Sequence, residues 1–545
     1  VRRADGVPHP LYPDAAAVAW TGPGYIEFMS SAFGGGSESI DTHRLILHEK
    51  SHFLWAKIYD QKLKDDWAAL SGWNQDADGN WTATSQTQFA SPYAHDLNPN
   101  EDMAESFAFF IVNPDILRSQ APTKYEFIRD RIMQGTTYIA KIREDLTFEV
   151  LNLFPDYVYP GKIKRVNISV TGAPEEDKKL TVDIELHTIF ADMEGAKKGY
   201  TRISSEQGTF FDMYFYPVNP DENGTSTILR GTKTVSKYAA KGFWKAKNIS
   251  ITDQVGNTRN NSANDFGWRM WVNNPLEDLE APVYQADSAT FTQIASKTIE
   301  GIDTDMYKTT WIVSDTSPIR QCRGVINDEN LISNARQLDG GKTDNGDGTH
   351  TCSIEIKMPY YYYSGKWHLN YIRTADAAGN NGSTHFFTST DLNDQYQDNA
   401  RADETAKFVE VTTSDPDLTP PELDITLGNI SVSAAPTNPS APNGETIVTL
   451  NYKTYDDISG LQNGSVNLRD PNGKNHHFWL YPAGGSNTYP AAGTVGVWED
   501  KVFTMLLPAG SAPGTWGVAE ISLIDRAGNV KAFNFTEILT FIPDL

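Results

Sequence analysis

His48, Glu49 and His52 follow the order H-E-x-x-H, a spacing with a specific chemical use. On a helix the two imidazoles lie one turn apart on one face, where their neutral ring nitrogens can bind one tetrahedral Zn2+. Glu49 is rotated off that line, toward a water on the metal, and is the candidate general base. A buried helix whose histidines only pack or hydrogen-bond would carry the same letters. The chain has 11 His in 545 residues, which makes an accidental match uncommon.

A catalytic zinc needs a third protein ligand and an open position. The segment Asn98-Pro99-Asn100-Glu101-Asp102-Met103-Ala104-Glu105 suits this best, with Asn98 as N-cap and Pro99 as first helical residue. Glu101 and Glu105 then share a face, so that one can bind the metal while the other holds a ligand in place. Glu101 also sits where a glutamate could close a capping box with Asn98.

HEKSH, then NEDMAESFAFF, then APTKYEFIRDRI together resemble the catalytic domain of the anthrax lethal factor and Pro-Pro endopeptidase group of gluzincins. The likeness spans His43 to Ile132. It implies that Glu101 is the third zinc ligand, that Glu105 supports the site, and that the reaction is metal-assisted peptide hydrolysis. The family places an oxyanion-stabilising tyrosine seven residues before the ligand glutamate. Here that position is Ala94, flanked by Tyr93 and His95, and either neighbour could serve.

The elements that must position these groups are legible nearby. Leu45 to Tyr59 has no Gly or Pro and repeats apolar residues at helical spacing, which predicts a helix under the histidines. Tyr25 to Met29 alternates as a strand does, and is the candidate edge for pairing with extended substrate. The Gly-rich run from Phe33 to Ser39 reads as a flexible turn, with no phosphate-loop lysine after it.

A chain of this length predicts three or four domains. The net charge of −24 is dispersed, which argues against nucleic acid or an anionic membrane as partner. No apolar stretch approaches the ~20 residues of a membrane span. The chain opens at Val1, so removal of a leader before secretion is expected.

Beyond the first quarter an internal repeat appears. G-x-W recurs at Trp244, Trp367 and Trp516, and in each case D-x-x-G-N begins nine residues later, at Asp253, Asp376 and Asp525. An Asp four residues before a Pro opens each unit, as Asp156, Asp278 and Asp417. Alternating apolar runs broken by Gly, Asn, Asp and Pro predict β-sandwiches, and the units resemble immunoglobulin-like modules of bacterial surface and secreted proteins. The tryptophans are expected in cores, and D-x-x-G-N as a structural turn. Cys322 and Cys352 are expected to form a disulfide within the middle unit. Asp156, Asp278, Asp417, Asp456-Asp457 and the turn Asp76 to Asn80 offer oxygen ligands for Ca2+ as well as ordinary acidic turns.

The expected architecture is an α+β zincin (gluzincin-like) domain over residues 1–145, then three all-β immunoglobulin-like sandwiches over 156–278, 279–412 and 417–545. A linker near Pro160 should let the first domain work alone. The expected function is a secreted or cell-surface zinc endopeptidase acting on protein or peptide substrates, with the repeats as stalk or docking modules. The alternative is a structural or adhesive surface protein that self-assembles or docks through its repeats and carries an accessory or inactive peptidase domain.

Overall fold

The computed structural model describes all residues except 2–8, 10–11, 13–14, 33–38, 78, 188–194, 222–223, 263–265, 300–301, 329–335, 387–406, 441–443, 481–494 and 544–545. The Gly-rich run and Asp78 of the acidic turn therefore lie outside the described residues.

The N-terminal part begins with a two-stranded ribbon, β1 (Ala17–Trp20) against β2 (Tyr25–Phe28). Helix α1 (Ser39–Lys57) carries both histidines, as the unbroken periodicity predicts. Helix α2 (Gln61–Leu70) starts at Asp60, whose carboxylate accepts from the Leu63 amide. After a short ribbon, β3 (Trp73–Gln75) with β4 (Trp81–Ala83), prolines divide the chain into α3 (Pro92–Asp96), α4 (Pro99–Val112), α5 (Pro114–Gln120) and α6 (Pro122–Phe127). Each of these four helices opens on a proline, where the missing amide costs nothing and the fixed φ is already helical.

Two strands then leave the helices: β5 (Thr137–Ile142) and β6 (Thr147–Val150). Their partners are remote. β5 pairs antiparallel with Thr536–Phe541, the last strand of the chain, and β6 pairs with Gly514–Asp525 in the last repeat.

These pairings correct the expected fold class. Strand makes up 50% of the structure and helix 15%. Among the described residues the helices bring only two-stranded ribbons of their own, and the strand that packs on α4 and α5 is completed by Thr536–Phe541. The repeats depart from separate two-sheet sandwiches as well. In the first, Phe210–Pro217 pairs with Lys198–Ser205 on one side and Ile228–Val235 on the other, which stitches everything into one nine-stranded sheet around one core. In the second, Arg336–Asp344 makes the same stitch between Ile319–Asp328 and Thr349–Pro359, again giving a nine-stranded sheet. The third keeps a four-stranded and a five-stranded sheet, and β6 completes the latter.

The repeat landmarks have a common physical basis. Gly242, Gly365 and Gly514 hold φ of 122°, 146° and 118°, a region that suits glycine. Two residues on, each indole donates to the carbonyl four residues earlier, Trp244 to Ala240, Trp367 to Tyr363 and Trp516 to Ala512, from inside a core. In each D-x-x-G-N turn the Asp Oδ1 accepts from the Gly and Asn amides. The Asn side chain then donates to carbonyls about 100 residues earlier: Asn257 to Asp156 and Val158, Asn380 to Asp278 and Glu280, Asn529 to Asp417 and Thr419. That amide ties the end of each unit to its beginning. Cys322 and Cys352 are disulfide-bonded in the core of the second unit.

The last unit holds the molecule together. Its 470–475 turn receives hydrogen bonds from Asn113 and Ser119 of the helical part, and its Lys474 donates to Val255 O of the first unit. Tyr360 and Arg336 of the second unit donate to its Ile458 and Ala527 carbonyls. No helix among the described residues is long and apolar enough to cross a membrane.

Candidate metal centre

α1 and α4 pack side by side and bring their polar faces together. His48 Nε2 lies 3.2 Å from His52 Nε2 and 3.1 Å from Glu101 Oε2, and His52 Nε2 lies 3.5 Å from the same oxygen. These atoms form a nearly equilateral triangle. Ligands of a tetrahedral zinc at ~2.05 Å stand ~3.3 Å apart, so the three donors match one face of such a site without rearrangement.

The remaining ring nitrogens are fixed from behind. His48 Nδ1 donates to Glu105 Oε1 at 3.0 Å, and His52 Nδ1 donates to Asn100 Oδ1 at 3.1 Å. Both contacts put the proton on Nδ1 and turn the Nε2 lone pair toward the shared point. Glu105 is itself held, with Oε1 accepting from Arg44 at 2.7 Å and Oε2 from Ser91 at 2.7 Å. Sequence reasoning missed Asn100, Arg44 and Ser91. Only Asn100, adjacent to Glu101, offered any signal.

Asn98 caps α4 through Oδ1, which accepts from the Asn100 and Glu101 amides. The Glu101 carboxylate goes to the histidines, so the helix start presents the ligand and does not consume it in a capping box. Behind the site, the buried Asp102 carboxylate accepts from Lys124 at 2.7 Å and from the Trp73 indole at 3.1 Å, fixing the roll of α4.

The electrostatics describe a cation site. Burial alone would lower the His48 pKa, but hydrogen bonds donated to Glu101 and Glu105, with the charges of those carboxylates, outweigh it and raise it to about 9. Burial would raise Glu101, yet His48 and His52 pull it down to about 2. Positive charge is thus stabilised between these groups, and in the metal-free chain a proton supplies it. Glu49, 4% exposed, is pushed up by burial against the opposing pull of the two imidazoles.

The site opens into a cavity of about 470 Å³ lined by His48, Glu49, Tyr93, Glu105 and Ala15 to Ala17. Tyr93 is half-exposed, with its ring 5.9 Å from that of His48. Burial around its hydroxyl and the carboxylates of Glu101, Glu49 and Glu105 push its pKa up, which keeps it a donor. His95 points elsewhere, buried edge-on to Phe89 and hydrogen-bonded to Asp96. The structure therefore brings together His48, Glu49, His52, Tyr93, Glu101 and Glu105, and leaves His95 apart.

The strand beside the cavity is β1 and not the predicted β2. β1 packs on α1, whereas the outer edge of β2 pairs with Val1. The far wall is supplied by Arg469 and Asn475, on the strands Leu461–Arg469 and Asn475–Leu480 of the last unit.

No protein-family model matches this chain, and no curated protein matches it. Among solved structures, it is similar to a tetra-tandem repeat in the extending region of a large adhesion protein, with 12% identity, TM-score 0.14, and 69% of this chain and 73% of that one covered. A Salmonella alpha-2-macroglobulin variant gives 10% identity, TM-score 0.13, and coverage of 71% and 24%. The BSP domain of a biofilm associated protein gives 9%, 0.11, and coverage of 71% and 83%. Scores of this size establish neither a shared fold nor a shared function.

Proposed function

We propose that the protein is an extracellular zinc endopeptidase of the lethal factor and Pro-Pro endopeptidase kind at its active site, built onto a repeat scaffold. The triangle of His48, His52 and Glu101 donors supports this most directly. His48, His52 and Glu101 would hold the zinc, which when bound would supply Lewis-acid polarisation of a scissile carbonyl and acidify a water. Glu49, buried beside the two imidazoles, would take a proton from the attacking water and pass it to the leaving amine. The Tyr93 hydroxyl donates to the developing oxyanion. Arg44 and Ser91 hold Glu105, Glu105 holds the His48 tautomer, and β1 offers a strand edge to an extended peptide.

The deciding experiment is Glu49→Gln in the full chain, with metal content and cleavage of an unfolded protein measured together. Stoichiometric zinc with activity reduced at least ~100-fold is expected. Full turnover in the zinc-loaded variant would sink the mechanism.

A second reading is favoured by how the chain is spent: residues 156 to 545 are repeat units, each tied end to start by its own asparagine. In that reading the protein is a structural or adhesive surface component and the metal centre is accessory. Absence of zinc from the wild-type protein, together with self-association or surface binding, would select it.

A further inference from the structure

Four strands of the first unit, Met270–Val272, Gly242–Ala246, Lys198–Ser205 and Phe210–Pro217, pair side by side in that order. Alternate residues of a strand share a face. One face is core, with Trp244, Ile203, Met213 and Phe215 buried. The opposite face carries six aromatic rings, Trp271, Phe243, Phe210, Tyr200, Tyr214 and Tyr216, each between 37% and 62% exposed. The sheet itself does not demand them. The second unit has the same number of strands in one sheet, yet Phe408 is the one exposed aromatic ring among its described residues. Apolar surface gathered on one solvent-facing side in this way marks an interaction site.

The rings are held in place, with polar groups between them. Phe243 and Trp271 meet across their strands at 4.8 Å, and Tyr200 and Tyr214 at 5.3 Å. The Arg202 guanidinium lies 4.0 Å over the Phe210 ring and donates to Asp212, which also accepts from the Tyr200 hydroxyl. Four strand spacings in one direction and Phe210 to Tyr216 in the other give an open platform of roughly 14 by 20 Å. Its charge has a sign. Arg202 is answered by Asp212, and Arg230, opposite Tyr216, by Asp183. Lys198, Lys245 and Arg269 stand two residues from Tyr200, Phe243 and Trp271 and form no ion pair among the described residues. They outnumber the Glu206 carboxylate in the turn after Ser205, so this face is positive in a chain of net charge −24.

We propose that this face of the first unit binds an anionic polysaccharide. The C–H faces of pyranose rings stack on the aromatic rings, sugar hydroxyls pair with Asp212, Tyr200 and Arg230, and the polymer's acid groups meet Lys198, Lys245 and Arg269. Rings spread in a row, each beside a polar group, suit a polymer of repeating units better than a protein partner, whose anchors gather in a packed central pocket.

This inference stands apart from the metal centre, and its test uses the full-length, zinc-loaded protein. Oligosaccharides of alginate, a polyuronate, and of neutral xylan are titrated by isothermal titration calorimetry. Alginate should bind, more weakly as salt rises, and xylan should bind at least ~10-fold more weakly than alginate. Trp271→Ala and Tyr214→Ala, each losing one stacking anchor, and Lys245→Glu should each weaken alginate binding ~10-fold. These positions are exposed, so Tm should stay at the wild-type value. Absence of alginate binding, equal affinity for xylan, or unchanged affinity in Trp271→Ala and Tyr214→Ala overturns the proposal. A wild-type dimer in analytical sedimentation that Trp271→Ala dissolves would also overturn it, by giving the face to a second copy of the chain.

Discussion

Glu105 shows how much a single residue away from the metal position can decide. Its carboxylate sets which His48 nitrogen carries a proton, and Arg44 and Ser91 set the carboxylate. Glu101→Ala should therefore abolish tight zinc binding, whereas Glu105→Gln and Asn100→Ala should weaken it ~10–100-fold, measured by competition with a chromogenic chelator. A loss in Glu105→Gln as large as that in Glu101→Ala would mean that Glu105 ligates directly. The two glutamates were legible in sequence because i, i+4 spacing is local. Ser91 and Arg44 were not, since nothing in their own neighbourhoods says that they meet Glu105. A second residue-scale test concerns Asp253. Burial, then the nearby Asp156 charge, raise its pKa to about 6. The native state thus holds this proton more tightly than the unfolded chain does, so the contribution to stability is present at low pH and is lost as pH rises through about 6. Asp253→Asn, which still accepts the Gly256 and Asn257 amides, should flatten the slope of unfolding free energy in this window by at most ~1.4 kcal/mol per pH unit, read from urea titrations.

At the scale of elements, α4 is the part on which the centre depends. Its start is set by Asn98 and Pro99, and its roll by the buried pair of Asp102 and Lys124. Asp102→Asn strands the Lys124 ammonium among Phe89 and Trp67, and should cost ~3–5 kcal/mol in denaturant unfolding. Adding Lys124→Met should recover much of that loss. The clamps in the repeats make a parallel case. Asn380 Nδ2 donates to Asp278 O and Glu280 O in a buried corner, so Asn380→Ala should destabilise the second unit by ~1–3 kcal/mol, seen as a lower Tm. Helix starts and turn motifs were readable because Pro, Asn, Asp and Gly act on their immediate backbone. The roll of α4 was not, because it depends on Lys124 and Trp73 arriving from other elements.

For the whole molecule, the helical part is not self-sufficient. β5 needs Thr536–Phe541, β6 belongs to a sheet of the last unit, and Arg469 with Asn475 forms a wall of the cavity. A fragment ending near residue 158 should therefore lack cooperative unfolding and zinc-dependent cleavage, while the full chain is expected to show both. Autonomous activity of the fragment would show that the cavity wall and the remote strand are dispensable. The sequence announced the number of units through G-x-W and D-x-x-G-N, yet hid their closure. Strand pairing over hundreds of residues leaves no local mark, and Thr137–Ile142 reads alike whether its neighbour is close or 400 residues away. The stitching strands Phe210–Pro217 and Arg336–Asp344 read likewise as ordinary strands.

The pairing of β5 with the final strand also sets an order of events in time. His48 and His52 are synthesised long before the last repeat, but the layer that supports them is finished only when residues 536 to 541 have been made and have travelled back. Because chains fold as they are synthesised, start to end, a partial product lacks a finished crevice however long it waits. Maturation then has a natural checkpoint: if the centre cuts peptides as proposed, a chain stalled before residue 541 should be inert, and the capacity to cut should arrive only when Thr536–Phe541 has paired with β5.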